Sequence, residues 1–562
     1  MKVKEEVPIQ VVCANPPYSV SSENKSTFIE GLMDDYKKDV KEERNIQPLS
    51  DDYIKFIRFA QWKIEQTGEG IIGYITNNEY LSGLIHRGMR KELFEIFDKI
   101  YVLNLHGDLR KGDTSLGNKK DENVFDIKKG VTIAFFIKNS KINQKQVFYA
   151  DLFGTQKEKY FYLSNNDVCT TKWETIKPKK PFYFFIPQED NKQIEKIYDN
   201  FSSITEIFKK YGSGIKTHRD NFLVADSSDE IKKRLTDFVE TKISDDDLKR
   251  QYNLRDTGTW NVNDARRKFR IVEVQEDKFR NYDYRPFCIK WTYLSDVLMD
   301  RPRGNELQDV NSQNPALVTT RQLAYLPFHH TFVTNKLADI CLISLRTKES
   351  SYIFPLYLFL DEKRVSNIKE SIIQQIKKSF NKDIDSIDVF NYIYAILNCR
   401  KFRTKYAAFL KINFPRIPFT SDYKIFLKLI KLGAKLKDTH LLNLYSDEEG
   451  KIGYPNDGTN IINEIRYDKK NHHLYINDTQ YFDGILNEEW NFFIGGHKIL
   501  YGWLKDMKNK KLSSDEIRYF IKIIASIKET IKIMRLLDTL YDKIEKNIMP
   551  IKTTTQKLFN NL

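Results

Sequence analysis

The 562-residue chain is poor in cysteine, with Cys13, Cys169, Cys288, Cys341 and Cys399 far apart and no C-x-x-C pair. That spacing excludes a zinc ribbon and a disulfide framework and suits a reducing cytoplasm, which is the expected location. No apolar run of about 18 residues occurs, so no membrane-spanning helix is expected. A phosphate-cradling G-x-x-x-x-G-K-[ST] loop is absent, and so is a convincing cluster of nuclease carboxylates. Asp361-Glu362-Lys363 reads as surface charge. There is no repeat of fixed period and no long low-complexity segment. What remains is a globular chain, 41% hydrophobic and 13% aromatic, long enough for two or three domains. Its 91 Lys+Arg against 77 Asp+Glu leave a net charge of +14, which favours a polyanionic partner.

Near the amino terminus an apolar run, Ile9 to Ala14, reads as a buried strand and ends in Asn15-Pro16-Pro17-Tyr18. Neither proline has a backbone N–H and both have restricted φ, so the corner is stiff and its carbonyls stay free to accept hydrogen bonds. The Asn15 side-chain oxygen is a second acceptor. Two acceptors on one amino group pull its nitrogen toward tetrahedral geometry and localise its lone pair for attack on a methyl donor. Tyr18 offers a flat face on which an extruded base can stack, worth about 1–3 kcal/mol. The bland alternative is a loop after a strand, since Asn and Pro are ordinary turn formers.

The next 150 residues suit an α/β layer. A polar stretch to about residue 48 reads as an insertion or mobile loop. Ser50-Asp51-Asp52 then caps a helix with Tyr53, Phe56, Ile57, Ala60 and Ile64 on its apolar face. Short apolar strands follow at 71–76, 100–105, 131–137 and 147–152, with a helix over 88–97, an alternation that argues a doubly wound sheet. Ligands in such sheets bind beyond the carboxyl ends of the strands, where both Asn15–Tyr18 and Thr76-Asn77-Asn78 fall. The latter cluster suits a pocket lining as well as a plain strand cap. Gly68-Glu69-Gly70-Ile71-Ile72-Gly73 fits G-x-G-x-x-G only formally, because it follows a helix and leads into a strand.

Asn-Pro-Pro-Tyr is the motif of DNA amino-methyltransferases, and the chain resembles their N6-adenine branch. The segments 70–78, Arg87-Gly88-Met89-Arg90, Leu103-Asn104-Leu105-His106-Gly107 and Asp121-Glu122-Asn123-Val124-Phe125-Asp126-Ile127 narrow the likeness to the Type ISP restriction–modification enzymes. Those are single chains carrying nuclease, helicase, adenine methyltransferase and target-recognition parts in that order, and the likeness covers the carboxyl-terminal part. The resemblance implies a partial Rossmann-like, S-adenosylmethionine-dependent methyltransferase sheet over residues 1–175. It implies an α+β target-recognition domain over 176–562. In the family the cofactor motif, an acidic or aromatic residue followed by Gly-x-Gly, precedes Asn-Pro-Pro-Tyr by several elements. Here only 14 residues precede Asn15, with no glycine among them. The chain is therefore expected to be a truncated or split piece that needs an amino-terminal methyltransferase, helicase and nuclease portion to act.

The resemblance further implies that Asn15 and the Pro16 carbonyl hold the adenine amine, Pro17 fixes the turn and Tyr18 stacks, with Phe125 and Phe136 as candidates for a second stacking aromatic. Beyond the Pro178–Pro187 aromatic run, basic and aromatic residues intermix in a region similar to the Type ISP specificity region. Candidate contacts to double-stranded DNA are Arg285, Arg301, Arg303, Arg321, Gln322, Lys336, Arg346 and Lys348, for each of which a surface cation or structural ion pair is the competing reading. Ser513-Ser514-Asp515-Glu516 opens a long amphipathic helix, read as core packing. The rival to an adenine methyltransferase piece is a DNA-specificity module whose methyltransferase remnant is structural only.

Overall fold

The computed structural model describes residues 7–19, 22–41, 43, 46–108, 121–142, 144–187, 192–300, 310–311, 313–324, 326–346, 348–360, 363–443 and 449–552. It divides into two compact units, Met1–Asn191 and Lys192–Leu562. The division falls later than the expected 175/176. The strand Glu174–Ile176 pairs with Gln146–Asp151 in the first unit, and buried Arg90 donates to the carbonyls of Phe182 and Tyr183. The aromatic run after Pro178 thus belongs to the amino-terminal unit.

That unit is a six-stranded sheet built from β1 (Val11–Ala14), β2 (Gly70–Asn77), β3 (Lys99–His106), β4 (Val131–Lys138), β5 (Gln146–Asp151) and β6 (Glu174–Ile176), in the order β1-β2-β4-β3-β5-β6. β1 is parallel to β2, β3 is parallel to β5, and β4 runs antiparallel between β2 and β3. The carboxyl ends of β1, β2, β3 and β5 therefore share one edge, which the amino end of β4 joins. Four helices accompany the strands: α1 (Thr27–Lys37), α2 (Asp52–Thr67), α3 (Arg87–Ile96) and α4 (Gln156–Asn165). α2 ends at Gly68, whose φ of 86° is the left-handed conformation that closes a helix, so the glycine-rich segment does run from helix into strand.

Two expectations are corrected. The polar stretch after Tyr18 holds α1, whose apolar residues recur at helical spacing and bury Ile29, Met33 and Tyr36 on one face. β1 is not a buried strand. It pairs only with β2, Val11 is 68% exposed, and no strand among the described residues covers its other edge.

The second unit is α+β. A four-stranded antiparallel sheet orders Thr331–Thr334, Ala316–Thr319, Tyr352–Pro355 and Gly212–Ser213. A three-stranded sheet orders Cys288–Tyr293, Phe279–Arg285 and Leu337–Ala338. Two hydrophobic cores lie within it. The terminal helix, Ser514–Lys546, has its Ser513–Glu516 capping box formed and puts Phe520 to Ile531 in one core and Ile533 to Ile544 in the other.

Candidate functional site

At the carboxyl end of β1, Asn15 and Pro17 are exposed, Pro16 is buried and Tyr18 is half-buried. The Tyr18 hydroxyl donates to Asn15 Oδ1 at 3.4 Å, and its ring meets Tyr53 edge-on with centroids 6.0 Å apart. Burial, aided by the Asp51 carboxylate, pushes the Tyr18 phenol up to about 12, so it stays a donor at neutral pH. The next residue is pinned in both directions: Ser19 N–H donates to Asp51 Oδ1 at 2.8 Å, and its carbonyl accepts from Asp52 N–H at 3.1 Å. Asp51 gives up its capping bond to α2 for this contact. Burial raises its carboxyl, against the pull of Lys129, whose ammonium lies 3.8 Å away.

Lys129 brings in the loop that enters β4. Asn123 Nδ2 donates to the Lys129 carbonyl at 2.6 Å and to the Gly107 carbonyl at 3.0 Å, while Asn123 Oδ1 accepts from Phe125 N–H at 2.9 Å. Ser19, Asp51, Lys129, Asn123 and Phe125 thus form a chain of contacts from the Asn-Pro-Pro-Tyr corner to a half-buried aromatic on the same edge of the sheet. Phe136 is different. It sits mid-strand in β4 with a partner strand on each side, fully buried against Phe97 at 5.5 Å, so it is a core residue and presents no face to a base.

Of the cluster after β2, Thr76 is fully buried and Asn78 Nδ2 donates to Asn104 Oδ1 at 3.0 Å, which makes both part of the framework. Asn77 Oδ1 accepts from Glu79 N–H at 2.9 Å, and its buried Nδ2 has no partner among the described residues.

The sequence gives no hint of what holds the Phe125 loop. Lys159 and Asp121 form an ion pair at 2.8 Å with both side chains fully buried. Asp121 accepts from Gly107 N–H at 2.7 Å and Gly154 N–H at 2.9 Å, and Lys159 also donates to the Leu105 carbonyl at 2.7 Å. The bonds of the pair tie the carboxyl ends of β3 and β5 and the helix α4 to the loop, the arrangement in which a buried charge pair is kept for position.

In the second unit the candidate DNA contacts separate. Arg285 is half-buried: its guanidinium stacks 3.7 Å over the Tyr284 ring and lies 2.9 Å from Asp339, which burial raises to about 6, so a phosphate would compete with that ion pair. Arg219, directly before the short helix Asp220–Leu223, is buried and stacked 3.6 Å over Trp260. Arg321 and Gln322 are half-exposed on the loop after Ala316–Thr319, and Arg321 has no partner among the described residues. Lys336 is half-exposed and donates to Asn335 Oδ1 at 3.1 Å. Arg346 and Lys348 are exposed on the loop before Tyr352. Arg301 and Arg303 lie outside the described residues.

The Arg321 and Arg346 loops share one anchor. Glu349, fully buried, accepts from Ala324 N–H at 2.8 Å, from the Ser344 hydroxyl and from His330 Nε2 at 2.9 Å, with Arg346 3.6 Å away. Those bonds, His330 foremost, hold its carboxyl down to about 2 against the opposing effect of burial. Glu349 and His330 are 19 residues apart in sequence and carry no motif.

Residues 206–536 match the Type ISP C-terminal specificity domain. The chain belongs to that family. The Type ISP likeness extends to solved structures over nearly all its length. The ATP-dependent Type ISP restriction-modification enzyme LlaBIII bound to DNA is similar with a TM-score of 0.76 and 22% identity, over 96% of this chain and 38% of that one. A nuclease-deletion mutant of the Type ISP enzyme LlaGI with a DNA substrate mimic gives 0.74 and 20%, over 95% and 45%. The DrdV–DNA complex gives 0.75 and 20%, over 95% and 57%. At these identities the likeness is one of fold, and the chain spans 38–57% of the length of those enzymes. No curated protein matches the chain. No helix among the described residues is long and apolar enough to cross a membrane.

Proposed function

We propose that this chain is the acceptor-gripping and target-recognising part of a restriction–modification methyltransferase acting on adenine N6 in a specific DNA sequence. The observation that carries this reading is the shared sheet edge on which Asn15–Tyr18 and the Phe125 loop are joined through Asp51, Lys129 and Asn123. An adenine extruded from the duplex lies between Tyr18 and Phe125. Asn15 Oδ1 and the Pro16 carbonyl accept its two amine hydrogens. The Asn15 oxygen has two lone pairs, so its bond from Tyr18 leaves room for the amine. With both hydrogens held, the nitrogen lone pair is directed away from the ring.

S-adenosylmethionine supplies the methyl group in this chemistry. The residues named here form the acceptor side. We assign the donor pocket to a further segment, since the chain spans 38–57% of the similar enzymes' length and the edge of β1 that no described strand covers is a ready place of attachment. The carboxyl-terminal unit reads the duplex. The net charge of +14, the specificity-domain match and the DNA in the similar LlaBIII and DrdV structures support that assignment.

The test is reconstitution with a methyltransferase portion that bears the cofactor motif. Methyl transfer to adenine is expected in the mixture, and Asn15→Ala is expected to cost it about a hundredfold or more with DNA affinity unchanged. Sequence-selective binding with no turnover in the mixture would instead establish a pure specificity module. Tight binding of S-adenosylmethionine by this chain alone, measured calorimetrically, would overturn the split pocket.

A further inference from the structure

Along the edge that carries the Asn-Pro-Pro-Tyr corner, a second group of side chains is arranged for a flat ligand. His106, the last residue of β3, has a left-handed φ of 52° and lies at a register shift between β3 and β4. Both are departures that cluster at functional positions. Its ring stacks on Phe153 with centroids 3.9 Å apart and planes 15° from parallel, and Phe153 is 39% exposed. Asp151 stands beside the pair, with Oδ1 2.6 Å from His106 Nε2 and also accepting from the Tyr149 hydroxyl. A carboxylate only accepts, so Nε2 carries the proton. Asp151 Oδ2 has no partner among the described residues, on a side chain 41% exposed.

The group is rigid from below. Asn104 Nδ2 donates to the Tyr149 hydroxyl at 3.0 Å, and Asn104 Oδ1 accepts from Asn78. The buried Asp121 holds the N–H groups of Gly107 and Gly154, the residues directly after His106 and Phe153. One carboxylate therefore positions both stacked rings as well as the loop that bears Phe125.

We propose that Phe153 and His106 form a second nucleobase platform, which stacks one unpaired base carrying an exocyclic amine, with Asp151 Oδ2 accepting from that amine. The proposal rests on the DNA-acting reading above. An outward aromatic face suits any base, and a free carboxylate oxygen at its rim selects adenine, cytosine or guanine over thymine, which has no amine. The platform is distinct from the Tyr18 site. His106 on β3 is three strand spacings from β1 and Asp151 on β5 four, so at about 4.8 Å per strand the two sites lie roughly 14–19 Å apart, on the order of four to six stacked base steps. It receives a base close to the target, not the target itself.

The whole chain is titrated with duplexes that are fully paired or carry one bulged adenine, cytosine or thymine, and 2-aminopurine at the bulge reports stacking by its fluorescence quenching. The chain is expected to favour bulged adenine and cytosine over bulged thymine and over paired duplex. Phe153→Ala should weaken bulged-adenine binding about tenfold and abolish the quenching, and Phe153→Trp should restore both. Phe153→Leu, which keeps the bulk without the aromatic face, serves if the alanine variant does not fold. Asp151→Asn should erase the preference over thymine while the quenching persists. No bulge preference in the unaltered chain, or an unchanged one in Phe153→Ala, overturns the platform. Loss of the preference in Tyr18→Ala with Phe153→Ala unaffected overturns the platform but leaves the methyltransferase reading intact. If neither substitution matters while reconstituted methyl transfer also fails, both fall.

Discussion

The two units spend their charged residues differently. In the amino-terminal unit one fully buried ion pair, Asp121 with Lys159, organises a single edge of a sheet, and the side chains assigned to chemistry stand along that edge. In the carboxyl-terminal unit, pairs such as Arg285–Asp339 and Glu349–His330 are spread among loops and small sheets. The contrast suits the tasks proposed for the two units. Gripping one amine requires a few atoms fixed at one point, which a short rigid motif can encode. Reading a duplex requires an extended surface that loops from distant parts of the chain assemble.

Removing the organising charge of the amino-terminal unit should have the largest effect. Asp121→Ala leaves Lys159 charged in the interior and frees the Gly107 and Gly154 amides, and is expected to destabilise that unit by about 3–5 kcal/mol. The double change Asp121→Leu with Lys159→Met should recover much of the loss. Limited proteolysis checks this: new cleavage in residues 121–165 with the carboxyl-terminal unit intact is expected, and equal protection of Asp121→Ala and the unaltered chain would deny the pair its role.

Acid should reverse the order in which the units fail. Burial, with Arg403 nearby, lowers His329 and His440 to about 3, and burial with Arg285 lowers His497 to about 4. The unfolded chain takes up these protons near pH 6.5 and the folded chain does not, so the stability they permit is complete above about pH 6.5 and drains away as pH falls toward about 4 for His497 and about 3 for His329 and His440. Each site is worth up to about 2 kcal/mol by pH 5. Glu349 acts in the same sense at lower pH: its contribution is present above about pH 4.5 and lost as pH falls through about 2. Asp51, in the other unit, is raised by burial and so favours the folded state more as pH falls, and Asp339, raised to about 6, offsets only part of the loss from the three histidines in the carboxyl-terminal unit. Urea unfolding followed at pH 7.5 and pH 5 should show the carboxyl-terminal unit losing its midpoint first. His440→Gln should reduce that pH dependence.

The sheet strands from β2 to β5 were legible because each is a short apolar run between turn signals, a local pattern. The helix Thr27–Lys37 carries a local signal too, with Phe28, Ile29, Leu32, Met33 and Tyr36 at helical spacing, but the charged residues around them make the stretch read as polar. Phe125 and Phe136 mark the limit of such local patterns within one candidate site. Both are phenylalanines near one strand, and only the pairing of β4 with strands on both sides assigns one to the core and leaves the other at the edge. Val11 shows the converse: its apolar run predicts burial, and the sheet order leaves it at an uncovered edge.

The smallest expected effect separates two arginines that the sequence made equal. Arg285 and Arg321 each sit beside a strand in a basic, aromatic context, but Arg285 meets Asp339, a residue 54 positions away, and Arg321 meets no partner among the described residues. If Arg321 touches a phosphate, Arg321→Ala should weaken duplex binding by about 1 kcal/mol across all sequences and lower the slope of log affinity against log salt by about one, with the unfolding midpoint unchanged. Contact with a base edge instead relaxes selectivity at one position. Arg285→Ala should do the opposite, leaving a buried Asp339 without its partner and lowering stability while the salt slope holds. Should both substitutions move the salt slope equally, the division between structural and DNA-facing cations in this unit is wrong, and Arg285 must exchange Asp339 for phosphate on binding.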